Sequence, residues 1–519
     1  MTRLTEFTSY ADAQKHYSKE KLWELFDGDP AHFNISHECL DRHVDGDNVA
    51  LRIAHSDGAD EVLTFEEVSR RSSQIAHYLN ANGIKKGDRV AVMIEPSLAF
   101  YAAMFGVIKS GAVAVPMFSL FGPDGIRLRV GDCKPSMFFT NSEKAPDAVA
   151  GGAENVTVVD RDFLDGLNDL PATYEWTTSG RDLAVLQYTS GTTRALPAAV
   201  KHSHQSIVTL MVAALYATGI RPGDRFFCPS SPAWGHGLWH GTLAPMAMGV
   251  STGTFSGKFD AVRLLRALHD FRITNLTAAA THYRMMRNSG EAENFTYAFD
   301  KLSFTGEPID SETATYVEQV FGTKVRSMYG TTEIGVIIAN YPGADDLEVR
   351  DGAMGKAVPG VEVKVQRPDG TAAEPGETGE LMVKKRGEWF QTKDLGRVDA
   401  DGYFYHGGRA DDVIISAGWT IGAIEVEDAI LSHPAVAECA VIGAPDELRG
   451  LVVKAYIILK GDETPDLTKS IQDHVRARLA RHEYPRQIEF VTDLPKTPAG
   501  KVNRKVLRDQ EAEKLAAAE

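Results

Sequence analysis

In the run Tyr188-Thr189-Ser190-Gly191-Thr192-Thr193, an aromatic ring is followed by four serine and threonine hydroxyls and a glycine, shortly behind the apolar stretch Leu183-Ala184-Val185-Leu186. A loop of this kind leaving a buried strand offers many donors and close backbone approach, which suits an anionic phosphate. Three later segments repeat the theme of a strand running into a chemically equipped loop. Thr305-Gly306-Glu307-Pro308 follows Leu302-Ser303-Phe304, and its glycine lets a flat ring lie against the backbone. Met328-Tyr329-Gly330-Thr331-Thr332-Glu333 offers an aromatic face, hydroxyls and a carboxylate suited to Mg²⁺. Thr392-Lys393-Asp394-Leu395-Gly396 presents one carboxylate whose two oxygens can accept from neighbouring hydroxyls, and Arg409 adds a permanent cation. Near the end, Leu494-Pro495-Lys496-Thr497-Pro498-Ala499-Gly500-Lys501 puts an ammonium on a Pro/Gly-framed turn, able to swing toward a remote site. Each segment alone reads as a tight turn; five in one chain ask for a common explanation.

The elements that must position them alternate in type. An amphipathic helix over Phe65–Ala81 leads to the apolar run Asp88–Ile94, and a second helical stretch reaches Gly111–Pro116. The same texture returns with strands at Phe226–Pro229, Val250–Phe255 and Ile273–Ala278. Short apolar strands separated by helix-length segments predict a mostly parallel α/β layer structure. From Leu347 to Lys385, short strands broken by Gly and Pro predict a small β-rich subdomain or barrel. Gly407-Gly408-Arg409-Ala410-Asp411-Asp412 reads as a boundary. It divides a large domain over residues 1–408 from a small α+β unit over 409–519, an ordinary domain size. That unit has expected strands at Val436–Ile442 and Val452–Leu459 and an amphipathic helix at Ile471–Leu479.

Composition narrows the function classes. A chain of 519 residues, 43% hydrophobic, can bury large cores in two or more domains. With 55 basic and 71 acidic residues the net charge is −16, which argues against nucleic acid or an anionic membrane as partner. Cys39, Cys133, Cys228 and Cys439 are far apart and read as reduced structural thiols. The first residues lack an apolar signal core and no apolar run could span a bilayer, so a cytoplasmic protein is expected, with a homo-oligomer left open.

Taken together the segments resemble those of the adenylate-forming superfamily of acyl-CoA synthetases, luciferases and nonribosomal-peptide adenylation domains, over nearly the whole chain. The medium-chain and aromatic acyl-CoA synthetases are the most similar branch. The resemblance implies a small C-terminal lid that rotates on the large domain between two half-reactions. It implies ATP, Mg²⁺ and CoA as reactants and companions, with Thr189, Ser190, Gly191, Thr192 and Thr193 cradling phosphates. Thr305, Gly306, Glu307 and Pro308 would form the adenine pocket, beside Tyr329, Gly330 and Thr331. Thr332 would meet a phosphate, Glu333 the Mg²⁺, Asp394 the ribose and Arg409 the nucleotide. Asp411 would be the hinge, Gly418-Trp419 would line the CoA thiol channel, and Lys501 would bridge carboxylate and α-phosphate during adenylation. Two departures stand out. The loop continues Arg194-Ala195-Leu196-Pro197-Ala198-Ala199-Val200-Lys201, one residue longer than the family pattern, with Ala198 where its lysine belongs. Arg194 is the first candidate to supply the missing charge, since a guanidinium binds phosphate in a bidentate way, and Lys201 is the second. Lys393 stands where the family commonly has glycine.

The acyl pocket implied by the resemblance involves Trp234, Gly235, His236, Trp239 and Phe304, with Ala280–Tyr283 nearby. Aromatic walls with glycine and alanine gaps suit an apolar acid. No aspartate sits among them to pair an α-ammonium, which disfavours amino acids. Lys201-His202-Ser203-His204 reads as a solvent-facing polar turn. The leading expectation is an ATP-dependent acyl-CoA ligase for an apolar carboxylic acid; the alternative is an adenylating enzyme that loads a carrier protein. A non-catalytic nucleotide-binding relative is the outlying reading. A dinucleotide dehydrogenase and a P-loop kinase are excluded, for want of G-x-G-x-x-G after a strand and of G-x-x-x-x-G-K-[ST].

Overall fold

A computed structural model describes residues 3–188, 199–331, 334–385, 387–409, 414–416, 419–446, 450–479, 483–497 and 501–516. Two sheets make up the large N-terminal body. The smaller has six strands, five of them in one parallel run around the buried pair Arg89–Met93 and Val113–Pro116. Its runs of Val, Ala and Phe are apolar on both faces because helices cover both faces. The amphipathic helix Phe65–Ala81 starts where Thr64 Oγ1 accepts the Glu67 amide at 3.1 Å and lies against the apolar helix Leu98–Lys109.

The larger sheet has thirteen strands. Six form a parallel block: Val49–His55, Thr252–Ser256, Phe226–Phe227, Asn275–Ala279, Lys301–Thr305 and Val325–Thr331. Beyond Val325–Thr331 every pairing becomes antiparallel, through Gly335–Ala339 and Ala353–Ala357 to Phe404–Arg409 and Glu388–Val398. The β-rich region is therefore a continuation of the main sheet, edge strand to edge strand, and not a separate barrel. It also extends past Lys385, where the expected segment stopped.

A second expectation is corrected here. Ala199–Ser203 is a strand, antiparallel to Leu183–Tyr188, and not a solvent-facing turn. Lys201 is exposed, but His204 is buried and its Nδ1 accepts the Ile35 amide at 3.1 Å. Within the strand, half-buried His202, kept neutral by burial, stands where an apolar residue would have continued the pattern begun by Ala199 and Val200.

The small C-terminal domain is a five-stranded sheet carrying Val436–Asp446 against Gly450–Leu459, with helices Ala423–Leu431, Leu467–Arg476 and Arg504–Ala516. Its core is its own, built around Ile414, Val426, Val441, Ile457 and Ile471. All four cysteines are buried and unpaired. Among the described residues no helix is long and apolar enough to cross a membrane.

Candidate functional site

In-register parallel strands carry their following loops out at one edge. Ala279 lies opposite Thr305, and Phe304 opposite Ser327. The residues after these strands, together with the turn after Phe226–Phe227, converge at the C-terminal ends of the sheet, where open α/β sheets form their crevices. The smaller sheet meets them there: Gln187 donates to the Ala233 carbonyl at 3.3 Å and accepts from Trp239 Nε1 at 3.0 Å.

Thr305, Gly306, Glu307 and Pro308 occupy the turn at this edge. Gly306 has φ +100°, and a Cβ there would lie 3.3 Å from Lys501 Cε and 3.6 Å from Trp234 Cη2. A slot that only glycine leaves open fits a flat ring lying against the backbone. Glu307 has a side chain only 20% exposed, and Oε1 accepts from Thr281 Oγ1 and Arg284 Nη2, both at 2.6 Å. Thr281 and Arg284 share a face of the helix Ala280–Ser289, three residues apart. Burial raises the Glu307 carboxyl, but the charges of Arg284, Arg504 and Lys501 and the Thr281 hydroxyl outweigh it and hold it below its ordinary value.

Gly330, in the strand beside this turn, is crowded: a Cβ would lie 2.0 Å from the Gly335 carbonyl oxygen. Its neighbour Tyr329 donates to Asp394 Oδ2 at 2.6 Å, although the two are 65 residues apart in sequence. Asp394 is 4% exposed, with His406 Nε2 4.0 Å from Oδ1, and lies opposite Arg409 on the antiparallel partner strand. Lys393 has φ +63°. That is the left-handed region that glycine enters at no steric cost, so the departure at this position is a lysine accepting a backbone made for glycine.

Lys501 reaches this edge from the small domain. It closes a short hairpin in which Thr497 N donates to the Lys501 carbonyl at 2.7 Å and Lys496 bridges to Val502. Its ammonium stands 5.6 Å from the Trp234 ring centroid. Three residues on, Arg504 grips Glu427 through contacts of 2.6 and 2.7 Å, tying this segment to the helix Ala423–Leu431.

Behind Trp234 lies a buried histidine cluster. His236 is gripped on both ring nitrogens, with Ser230 Oγ at 3.0 Å from Nδ1 and Thr277 Oγ1 at 3.0 Å from Nε2. A carboxylate could reach that ring only by displacing a hydroxyl. It opens an eight-residue π-helix, His236–Leu243, a form of helix that recurs at functional sites. Gly235 precedes it; Trp239 is 6% exposed, its ring 4.5 Å from His202. Phe304 faces the neighbouring core with Tyr283 and Ala278. Burial pushes His202, His240 and His282 down to about 4, so all three are neutral at physiological pH.

Several expected site residues lie outside the described residues: Thr189, Ser190, Gly191, Thr192, Thr193, Arg194, Thr332, Glu333, Asp411 and Gly418. Trp419 belongs to the short strand Trp419–Ile421 of the small domain. Sequence reasoning missed Arg284 and His406. An arginine on an amphipathic helix reads as solvated, and only the packing reveals that Arg284 faces inward onto Glu307.

Comparison with known proteins agrees in extent with this arrangement. Residues 41–388 match the AMP-binding enzyme family, and residues 425–501 match the AMP-binding enzyme C-terminal domain. An uncharacterized acyl-CoA ligase of Bacillus subtilis (strain 168) is 31% identical, covering 93% of this chain and 97% of its own. The mitochondrial acyl-coenzyme A synthetase ACSM3 of Rattus norvegicus is 30% identical, covering 97% of this chain and 94% of its own. The solved anthranilate CoA ligase AuaEII, in complex with anthranoyl-AMP, superposes with a TM-score of 0.86 at 29% identity, covering 94% of this chain and 99% of its own. The chain belongs to the AMP-binding enzyme family.

Proposed function

We propose that the chain is an ATP-dependent acyl-CoA ligase that activates an apolar carboxylic acid as its adenylate and passes the acyl group to CoA. Relatives named as acyl-CoA ligases and synthetases, aligned along nearly their whole lengths, support the reaction class. The observation that carries the reading most directly is Lys501 of the small domain seated at the Gly306 turn of the large one.

The acid's carboxylate attacks the α-phosphorus of ATP; pyrophosphate departs and acyl-AMP forms. The CoA thiolate then attacks the acyl carbon, and AMP leaves. Neither step needs a protein nucleophile, so the protein's task is positioning and charge stabilisation. We assign Lys501 to the negative charge that gathers between carboxylate and α-phosphate, where a flexible ammonium is apt. The Gly306 slot and Tyr329 flank the adenine, and Asp394, oriented by Tyr329, accepts the ribose hydroxyls. The Thr189–Thr193 loop would cradle the phosphates, with Arg194 in place of the family's lysine. Mg²⁺ would offset phosphate charge, with Glu333 as its expected carboxylate. Trp234, Trp239, His236 and Phe304 wall the acyl group, an arrangement of aromatic rings and neutral histidines without a carboxylate for an ammonium substrate. Rotation about Asp411, between residues 1–408 and 409–519, would bring Gly418-Trp419 to the thiol. We assign the chain to the cytoplasm, consistent with its acidic charge and buried thiols.

A panel of short, medium, branched and aromatic acids, with ATP, Mg²⁺ and CoA, tests the reading. AMP release that depends on both acid and CoA is expected. Acid-dependent ATP–pyrophosphate exchange with no CoA-dependent AMP release would favour carrier-protein loading instead.

A further inference from the structure

Glu307 is more elaborately held than a wall of a base pocket requires. A slot for a flat, neutral ring asks for shape and one or two hydrogen bonds. Glu307 instead carries a mostly buried carboxylate clamped by two donors at 2.6 Å. Its clamp is itself braced, since Arg284 Nε lies 3.3 Å from Asp310 Oδ2, and Arg287 lies 3.2 Å from Asp310 Oδ1. Lys501 of the small domain lies beside the same turn, its Cε 3.3 Å from where a Cβ on Gly306 would lie, and its charge, with that of Arg504, helps hold the Glu307 carboxyl below its ordinary value. Glu438 of the small domain, whose carboxylate pairs with Lys496 at 2.9 Å, is among the charges that hold Arg284 above its ordinary value. Lys496 and Lys501 belong to the same short hairpin.

We propose that Glu307, fixed by Arg284 and Thr281, is a positioning residue for Lys501: its negative charge draws the Lys501–Arg504 segment onto the Gly306 turn and sets the docked geometry used for adenylation. This rests on the reading of Lys501 as the adenylation lysine. A buried carboxylate with one cation gains further by acquiring a second and third, so arrival of the small domain is favoured by charge as well as by shape. Placement of a reacting group to within about an ångström decides rate, so loosening this dock should slow adenylation more than it weakens nucleotide binding. Once the small domain has rotated away, Glu307 has no such task, and thiol transfer should be indifferent to it.

The test separates the half-reactions. Glu307→Gln, which keeps size and a Thr281 contact but removes the charge, is assayed with butyrate and benzoate for ATP–pyrophosphate exchange. In parallel it is assayed with synthetic butyryl-AMP and benzoyl-AMP for CoA-dependent AMP release. Exchange kcat is expected to fall about 10- to 100-fold with ATP KM within about twofold, and CoA-dependent release to stay within about twofold. Equal loss in both half-reactions, or a rise in ATP KM alone, would overturn the proposal and leave Glu307 a structural or base-pocket residue. Thr281→Val, isosteric and lacking one restraint on the carboxylate, provides a second route if the glutamine variant does not fold; it should slow exchange about 3- to 10-fold with the same split. Lys501→Ala run alongside distinguishes the failures. Lost exchange in Lys501→Ala with normal exchange in Glu307→Gln sinks this inference alone, whereas normal exchange in Lys501→Ala sinks the reading beneath it.

Discussion

In the proposed nucleotide site, Tyr329 and Asp394 depend on one another through a single hydrogen bond of 2.6 Å. The carboxylate is buried, and a buried charge is tolerated only with partners around it. A hydrogen bond to a charged group contributes about 1.5–3 kcal/mol, so Tyr329→Phe should raise ATP KM roughly tenfold or more while leaving the fold intact. An unchanged KM in steady-state assays would remove Tyr329 from the nucleotide site. Lys393 makes a prediction of the opposite sign. A non-glycine residue in left-handed backbone costs roughly 1–2 kcal/mol, partly offset by the entropy glycine loses on folding. Lys393→Gly should therefore raise stability by up to about 1 kcal/mol with activity unaltered, read by urea denaturation. A destabilised variant would mean that the lysine side chain earns its place by contacts.

At the scale of elements, the His236–Leu243 segment is where acyl selectivity is expected to reside. Trp239 is buried between His202 and Gln187, so Trp239→Ala should cost about 3–5 kcal/mol and open the pocket to bulkier acids. An unaltered substrate profile in a folded variant would move the pocket elsewhere. The elements most legible in the sequence were those whose pattern and ends agree. The helix Phe65–Ala81 has an apolar stripe and a threonine cap, and the strand Val113–Pro116 is apolar between turn signals. The strand Ala199–Ser203 was hidden, because its second half, Lys201-His202-Ser203, is polar and only Ala199 and Val200 mark it as apolar. The antiparallel extension of the main sheet was legible as β-structure but not as part of that sheet, since edge pairing between distant strands leaves no local mark. The strand ends that carry Gly306 and Tyr329 were readable as such, because an apolar strand running into a glycine turn leaves a local mark. Arg284 was not, because its role exists only through the fold.

At the scale of the whole molecule, the body of the large domain carries a built-in acid sensitivity. His43, His202, His204, His240 and His282 are each pushed down to about 4, by burial first, and so are folded in the neutral form. Unfolding returns each toward its ordinary 6.5 and lets the chain bind protons. The stability they contribute is complete above 6.5 and is lost as pH falls toward about 4. Thermal unfolding followed from pH 7 downward should show Tm falling across that window; a flat profile would mean that these rings are already solvated. The two domains meet through charged groups as well, including Lys460 and Glu312 at 3.8 Å, a partly exposed pair that salt screens.

In the proposed reaction, adenylation depends most on a single ammonium group carried by the small domain to the Gly306 turn of the large one. The direct measurement is to exchange Lys501 for alanine and follow the two half-reactions apart, with acids the wild type turns over. Acid-dependent ATP–pyrophosphate exchange should fall by about 100-fold or more, while the same variant still converts preformed acyl-AMP and CoA to AMP at close to the wild-type rate. Wild-type exchange in that variant would contradict the account.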